Sequence, residues 1–262
     1  MDRKLFQNLY PFDVLLKDRR KLYALFPYAD TTMLEKLLND FPENGVAVEI
    51  GTWTGFSTCL IGSIVKEKHG HLSTIDSFVG LPDVENDGSQ VRGILNWNLD
   101  RCGIKDTVTV LDGASDEFVS KFKDESIDFM FIDGDHRYSQ ISKDIRNWLP
   151  KIKTGGIMSG HDFDCTLFKE DHIETDCVNR VHHGVAKAVL ELAKIQKVQF
   201  FKEGETVVSS IWFITKAGAQ TSPAQTQEGV NHGKRTRNEE EAGVSKPIGN
   251  PALAGREAGV GV

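Results

Sequence analysis

The chain has 262 residues, of which 39% are hydrophobic, 26% charged and 9% aromatic, enough apolar material for one large core or two small ones. Lys and Arg total 31 against 38 Asp and Glu, a net charge of −7, so nothing advertises a basic face for nucleic acid and small-molecule chemistry is the better expectation. No apolar run reaches the roughly 18 residues of a membrane helix, and Pro11 and Asp13 break the start where a signal peptide would be apolar, which reads as a cytoplasmic protein with no membrane partner. Cys59, Cys102, Cys165 and Cys177 lie far apart with no C-x-x-C pair, which suits reduced thiols rather than a disulfide framework.

In chain order, Val14–Phe26 and Thr32–Phe41 read as two helices, an N-terminal cap over residues 1–40 that could cover the open edge of a site. Short, β-branched-rich apolar blocks at Val46–Ile50, His71–Ile75, Thr107–Leu111, Ile127–Ile132 and Gly156–Ser159 read as buried strands. Between them Phe56–Lys68, Gln90–Cys102, Ser115–Lys123 and Tyr138–Leu149 have helical apolar spacing, and Ser115 followed by Asp116 makes a helix start. Strand and helix alternating at about thirty residues per unit imply a parallel sheet with right-handed crossovers. After a helix at Gly184–Lys194, Val198–Phe201 and Val207–Thr215 are separated only by KEGET, too short for a crossover, so they form an antiparallel hairpin. The segment 217–262 has no Phe, Trp or Tyr, eight of the 24 glycines, and charges that cancel. It cannot bury enough to fold alone and reads as a disordered tail. The whole net charge therefore belongs to residues 1–216, with the sheet domain at 41–216.

In an open α/β sheet, ligands bind beyond the carboxyl ends of the strands, where strand order reverses. This sequence puts polar or acidic groups at five such ends: Glu49 with Gly51, Asp76, Asp112 with Ser115, Asp133, and His161 with Asp162. One such acid is explained by a turn or a helix cap. Five on one rim are not. The stretch VAVEIGTWTGFS carries Gly51 and Gly55 where the chain leaves a strand and enters a helix, positions that want φ > 0 and leave room for a ligand against the backbone. Trp53 stands where a dinucleotide fingerprint needs glycine, which counts against an NAD-dependent oxidoreductase. Glu49 suits a cationic or hydrogen-bond-donating group.

Taken together, E-x-G-x-x-x-G with Phe56 and Ser57, the acid after strand two, Gly113-Ala114-Ser115 after strand three and Phe131-Ile-Asp-Gly-Asp-His after strand four resemble a class I S-adenosylmethionine-dependent methyltransferase. The likeness covers roughly Phe41–Thr215 and is closest to small-molecule O-methyltransferases of the catechol and macrocin types and to a cephalosporin-hydroxylase-like branch. It implies a Rossmann-like α/β fold: a seven-stranded, mostly parallel sheet with an antiparallel C-terminal strand and helices on both faces. It implies that Glu49, Gly51, Thr52, Trp53 and Gly55 line the methionine part of S-adenosylmethionine, with Ser57 at its carboxylate. Asp76 and Ser77 would meet the ribose, since an ionised carboxylate can accept from two vicinal hydroxyls. Asp112, Ala114 and Ser115 would border the adenine, and Phe78 either stacks on that ring or packs on its own domain.

The same resemblance makes Asp133 both a neighbour of the cofactor and, with Asp162, a holder of Mg2+ or another divalent metal, which acidifies a hydroxyl beside it. Where the catechol type has an amide ligand this chain has Phe163, so a third ligand would come from His161, Asp164 or Asp135. His136 occupies the place of the catechol-type lysine base and would act with Asp133 in catalysis as a general base; its alternatives are a helix cap or a metal ligand. Cys165–His183 reads as a lid selecting the acceptor, and a zinc set of Cys165, His172, Cys177 and His182 matches no compact motif. The expected function is methyl transfer to a hydroxyl of a small molecule, by a monomer or a homo-oligomer. The alternative is a relative of the same fold, cephalosporin-hydroxylase-like or inactive, that binds cofactor or metal for another purpose.

Overall fold

The structure is a computed structural model that describes residues 28–79, 88–164, 169–175, 177–178, 181–203 and 206–218. The helix expected at Val14–Phe26 and nearly all of the 217–262 tail lie outside the described residues. Seven strands form one sheet: β1 (Val46–Ile50), β2 (His71–Asp76), β3 (Val108–Asp112), β4 (Ile127–Ile132), β5 (Ile152–Gly160), β6 (Gln199–Glu203) and β7 (Thr206–Thr215), in the order β3-β2-β1-β4-β5-β7-β6. β1 pairs parallel with β2 and β4, β2 with β3, and β4 with β5. β7 is antiparallel to both β5 and β6. The hairpin is thus the expected one, and its longer strand inserts between β5 and β6. Strand order reverses between β1 and β4, which places a crevice beyond their carboxyl ends.

The helices are α1 (Tyr28–Leu38), α2 (Phe56–Glu67), α3 (Gly88–Arg101), a single turn α4 (Ser115–Phe118), α5 (Tyr138–Trp148) and α6 (His183–Leu192). Period-two alternation divides the strands between two cores. Ala47, Phe129, Phe131 and Ile211 pack with the apolar residues of α1, α2 and α3 on one face. Val48, Ile50, Met130, Ile132 and Ile214 pack with α5 and α6 on the other. Glu49 falls on the α2 face, in step with Ala47 but with nothing apolar to offer. β3 lies at the sheet's edge and is only partly covered, whereas β4 is nearly continuous core. The central strand of a parallel sheet is the one that must be apolar on both sides.

α1 begins four residues earlier than its sequence pattern and does not stand apart as a cap. Leu34, Leu37 and Leu38 enter the α2-side core, and the helix packs against α2 and β7. Its first turn therefore reaches the β5–β7 side of the sheet. No helix among the described residues is long and apolar enough to cross a membrane, and Cys59, Cys102 and Cys177 are free thiols.

Candidate active site

The turn after β1 is held from beneath by β2. One oxygen of Asp76, Oδ2, accepts the backbone N–H groups of Thr52 (2.8 Å) and Trp53 (2.7 Å), and Oδ1 accepts that of Phe78 (2.7 Å). An ionised carboxylate has about four acceptor positions, so a ribose diol could use both oxygens only by displacing a loop N–H. Asp76 is the anchor that shapes the glycine turn. The turn itself is tight: Gly51 has φ +89, and a Cβ there would stand 1.9 Å from the carbonyl oxygen of Asp133. The space that this glycine frees is filled by β4's backbone, and that beside Gly55 by Leu95, so on that side neither leaves the room for ligand that the motif suggests. Trp53 at φ +43 is strained for an aromatic residue, and its buried indole N–H has no partner.

Glu49 is fully buried. Its Oε2 accepts the hydroxyls of Thr58 and Thr74, each at 2.6 Å, while Oε1 has no partner. Burial lifts its pKa to about 7 against the pull of Ser57, Thr58 and Thr74, and the nearby Asp133 charge adds to the rise. A buried carboxylate oxygen with nothing to accept from is the one feature of this turn that asks for a donor from outside the chain. The ammonium of an amino-acid ligand fits it, and the uncapped start of α2 at Gly55 and Phe56 is suited to the ligand's carboxylate. Ser57 is buried beside Glu49.

At the β2–β3 edge the expected adenine border is less open. Phe78 is buried, with the Arg92 guanidinium 4.3 Å over its ring, and Arg92 reaches Asp112 at 2.5 Å. Ser115 is buried and turned into the protein, donating to Asp144, whose carboxyl is pushed up to about 6 by burial. Ser77 and Ala114 are exposed.

Beyond β4 and β5 lies a different assembly. Asp133 follows β4 directly and its N–H bonds the Ile50 carbonyl across the reversal point at 2.7 Å. His136 Nε2 stands 3.1 Å from Asp162 Oδ2 and 3.6 Å from Asp133 Oδ1. His161 is buried between carboxylates: Nε2 is 3.0 Å from Asp30 Oδ2, and Nδ1 is 3.2 Å from Asp162 Oδ1 and 3.7 Å from Asp133 Oδ1. Burial works against its protonation, but Asp162 and Asp133 outweigh it and hold the imidazole well above its ordinary pKa. Asp162 in turn is held well below the usual range: burial opposes this, and the charge on His161 and the contact with His136 prevail. Its backbone sits at φ +60, a conformation Asp tolerates better than most residues.

Two further members of this cluster were not placed in it by sequence spacing, which passed over Asp30 and weighed His182 only for a zinc set. Asp30, in the first turn of α1, is 3% exposed and also accepts from Ser209 and Ser210 of β7. His182, before α6, puts Nε2 3.7 Å from Asp162 Oδ2 and its ring centroid 4.1 Å from that of His136. The sole available sign was Gly184: a Cβ there would strike the backbone of His136 (2.3 Å) and Tyr138 (2.4 Å), so the glycine lets α6 press against the β4–α5 loop. The start of α5 is served from the segment between β5 and α6, with Glu174 accepting from the N–H and hydroxyl of Ser139 and Ile173 from the N–H of Tyr138. His136 is thereby left to the cluster and not to a capping role. Asp135 is taken by Arg137, and Phe163 stacks on Phe200 in the core, 4.5 Å between centroids. Among the described residues, the His/Cys/Asp/Glu groups close enough to share an ion are His136, Asp162 and His182, and Asp133, His161 and Asp162. Neither includes His172 or Cys177.

Residues 48–163, less than half of the chain, match the model of a methyltransferase-domain family. Among solved structures, the chain is similar to the O-methyltransferase TomG from Streptomyces achromogenes, involved in tomaymycin synthesis and solved with S-adenosylmethionine, at 15% identity over 72% of this chain and 79% of that one (TM-score 0.52). An O-methyltransferase from Bacillus cereus, solved with S-adenosylhomocysteine, matches at 17% identity over 82% and 90% (TM-score 0.51). A Clostridium thermocellum protein considered an rRNA-methylase matches at 17% over 71% and 95% (TM-score 0.51). At these identities the likeness is one of fold. The chain thus matches a methyltransferase-domain model over residues 48–163 and shares its fold with O-methyltransferases solved with S-adenosylmethionine or S-adenosylhomocysteine.

Proposed function

We propose that the protein is an S-adenosylmethionine-dependent methyltransferase that acts on a hydroxyl oxygen of a small molecule, in the cytoplasm and with the help of a divalent metal. The observation that carries the reading is the cluster of Asp133, His136 and Asp162, within 3.1–3.6 Å of one another through His136, set against the glycine turn through the Asp133–Ile50 bond. A methyl group on a sulfonium is already activated, so the protein must hold the acceptor in line and remove its proton. Well-held reactants can gain roughly 7–11 kcal/mol of the barrier. Glu49 Oε1 and the start of α2 bind the amino-acid end of the cofactor, which sets its methyl toward β4. The hydroxyl proton passes to the Asp133–His136 pair. Asp133 and Asp162 are the residues that would hold the metal, for hard or borderline cations accept carboxylate oxygens, and when bound it supplies a more acidic acceptor hydroxyl. The acidic balance of the chain favours a small acceptor over RNA.

The test is to incubate the protein with S-adenosylmethionine and a panel of catechols, flavonoids and sugars, and to follow S-adenosylhomocysteine and acceptor mass. Acceptor-dependent gain of one methyl on oxygen is expected. Absence of S-adenosylhomocysteine binding at high micromolar ligand overturns the cofactor assignment, and methylation of nitrogen or of RNA alone overturns the acceptor.

A further inference from the structure

We propose that His136, Asp162 and His182 form a site for a divalent transition metal of the borderline class, such as Co(II), Zn(II) or Fe(II), in preference to Mg(II). The inference rests on the geometry of these side chains and revises the proposed function in two places: the metal moves from Asp133 to the two imidazoles beside Asp162, and His136 becomes a ligand, not part of the base. The side chains come from three separate places, the loop after β4, the second residue after β5 and the residue before α6. Both imidazoles nevertheless aim Nε2 at the same atom, Asp162 Oδ2, at 3.1 and 3.7 Å, and all three donors lie within 4.8 Å of one another. Ligands about 2.1 Å from one ion stand roughly 3.0 Å apart at neighbouring octahedral corners and roughly 3.4 Å apart in a tetrahedron. An ion could therefore enter without rebuilding the loops.

Exposure separates this set from the buried one. His136, His182 and Asp162 have side chains 14%, 18% and 23% exposed, with His136 Nε2 itself buried, whereas His161 is 5% exposed and lies behind the carboxylates. Asp30 faces one nitrogen of His161 and Asp162 faces the other, an arrangement that fixes the carboxylate and leaves its second oxygen to His136 and His182. The donor chemistry sets the metal. Two imidazoles and one carboxylate suit Zn, Fe, Co and Ni, while Mg(II) keeps oxygen ligands and several waters. With His136 ligating, the acceptor's proton goes to Asp133, 3.6 Å from His136 Nε2.

The experiment uses the full chain, stripped with chelator and titrated with Co(II). Expected are one ion per chain, visible d–d absorption and two hyperfine-shifted exchangeable imidazole N–H signals by proton NMR. His182→Ala should retain one of those signals and lose about 100-fold or more in Co(II) affinity, at or above the loss typical for a supporting partner. His172→Ala, at a histidine outside the set, should keep both signals and controls for folding of the segment between β5 and α6. Calorimetry should show Mg(II) binding at least about 100-fold weaker than Zn(II). Cobalt bound without shifted imidazole signals overturns the site, as does Mg(II) binding as tight as Zn(II) and unaltered by His182→Ala. No ion bound at all identifies the cluster as a hydrogen-bonded charge network. S-adenosylhomocysteine titrated into the same sample separates the two ideas: if it binds while cobalt meets no imidazole, only the metal site fails, and if cobalt binds as expected while it does not, only the methyl-transfer reading fails.

Discussion

On the β1–β2–β3 side of the rim, the acids are answered by the chain's own donors. Asp76 collects three backbone N–H groups, Glu49 two threonine hydroxyls, and Asp112 an arginine. On the β4–β5 side the carboxylates of Asp133 and Asp162 meet the imidazoles of His136 and His161. The first half is a preformed mould whose shape is fixed by backbone hydrogen bonds, and its unmet demands in the glycine turn are one oxygen of Glu49 and the indole N–H of Trp53. The second half is chemistry in waiting, built from groups that can exchange protons or accept an ion. Under the proposed function, a half that recognises an unchanging cofactor can be rigid, while the half that takes the acceptor's proton needs titratable groups.

Substitutions sharpen this contrast. The largest effect is expected at Asp133→Ala, which should lower turnover about 10³-fold or more and leave S-adenosylhomocysteine affinity within about threefold; a comparable loss of binding by calorimetry would mean that the two halves are not separable. Next comes Asp76→Ala. Removing the acceptor of three N–H groups should cost about 3 kcal/mol of stability, read by urea unfolding, together with cofactor binding. Lost binding at unchanged stability would show instead that Asp76 serves the ligand and not the turn.

Glu49 gives the third test. Its carboxyl has an ordinary pKa of 4.5 and a folded value of about 7, so the folded state holds a proton that the unfolded state has released. Below pH 4.5 both states are protonated and Glu49 contributes nothing. As pH rises toward 7 the ligand-free fold loses stability, by about 3 kcal/mol in full. Thermal unfolding of Glu49→Gln should lack this decline. Binding of S-adenosylhomocysteine near pH 6.5 should release about three-quarters of a proton, seen as a buffer-dependent heat, because the ligand's ammonium replaces it; a buffer-independent heat would remove the ammonium from that oxygen. The smallest effect belongs to Asp112→Ala, an exposed ion pair worth under about 1 kcal/mol. If instead it weakens cofactor binding tenfold, Asp112 touches the adenine.

The sheet, its antiparallel ending and the strand-end acids were legible because they are local. Val46–Ile50 and Ile127–Ile132 announce themselves by β-branched apolar runs, and the five-residue link KEGET cannot span a crossover. Glu49, Asp133 and Asp162 follow from where the strands stop. Orientation was not legible. Ser115 looked like a lining residue and instead turns inward to Asp144, and Gly51 and Gly55 looked like room for ligand and instead make room for β4 and Leu95. Periodicity says which residues leave a strand, and says nothing of which neighbour claims them.

What the amino-acid order settled by itself was the alternation of strand and helix, the hairpin at the end and the set of acids brought to one edge, since each depends on residues only a few positions apart. What the folded chain alone decided was the company those acids keep. Asp30 reaches His161 from 131 residues away and His182 reaches Asp162 over a gap of 20. Their meeting depends on α1 packing into the β7 side of the core and on Gly184 letting α6 close on the β4–α5 loop, and close packing between distant segments leaves no periodic trace in a sequence.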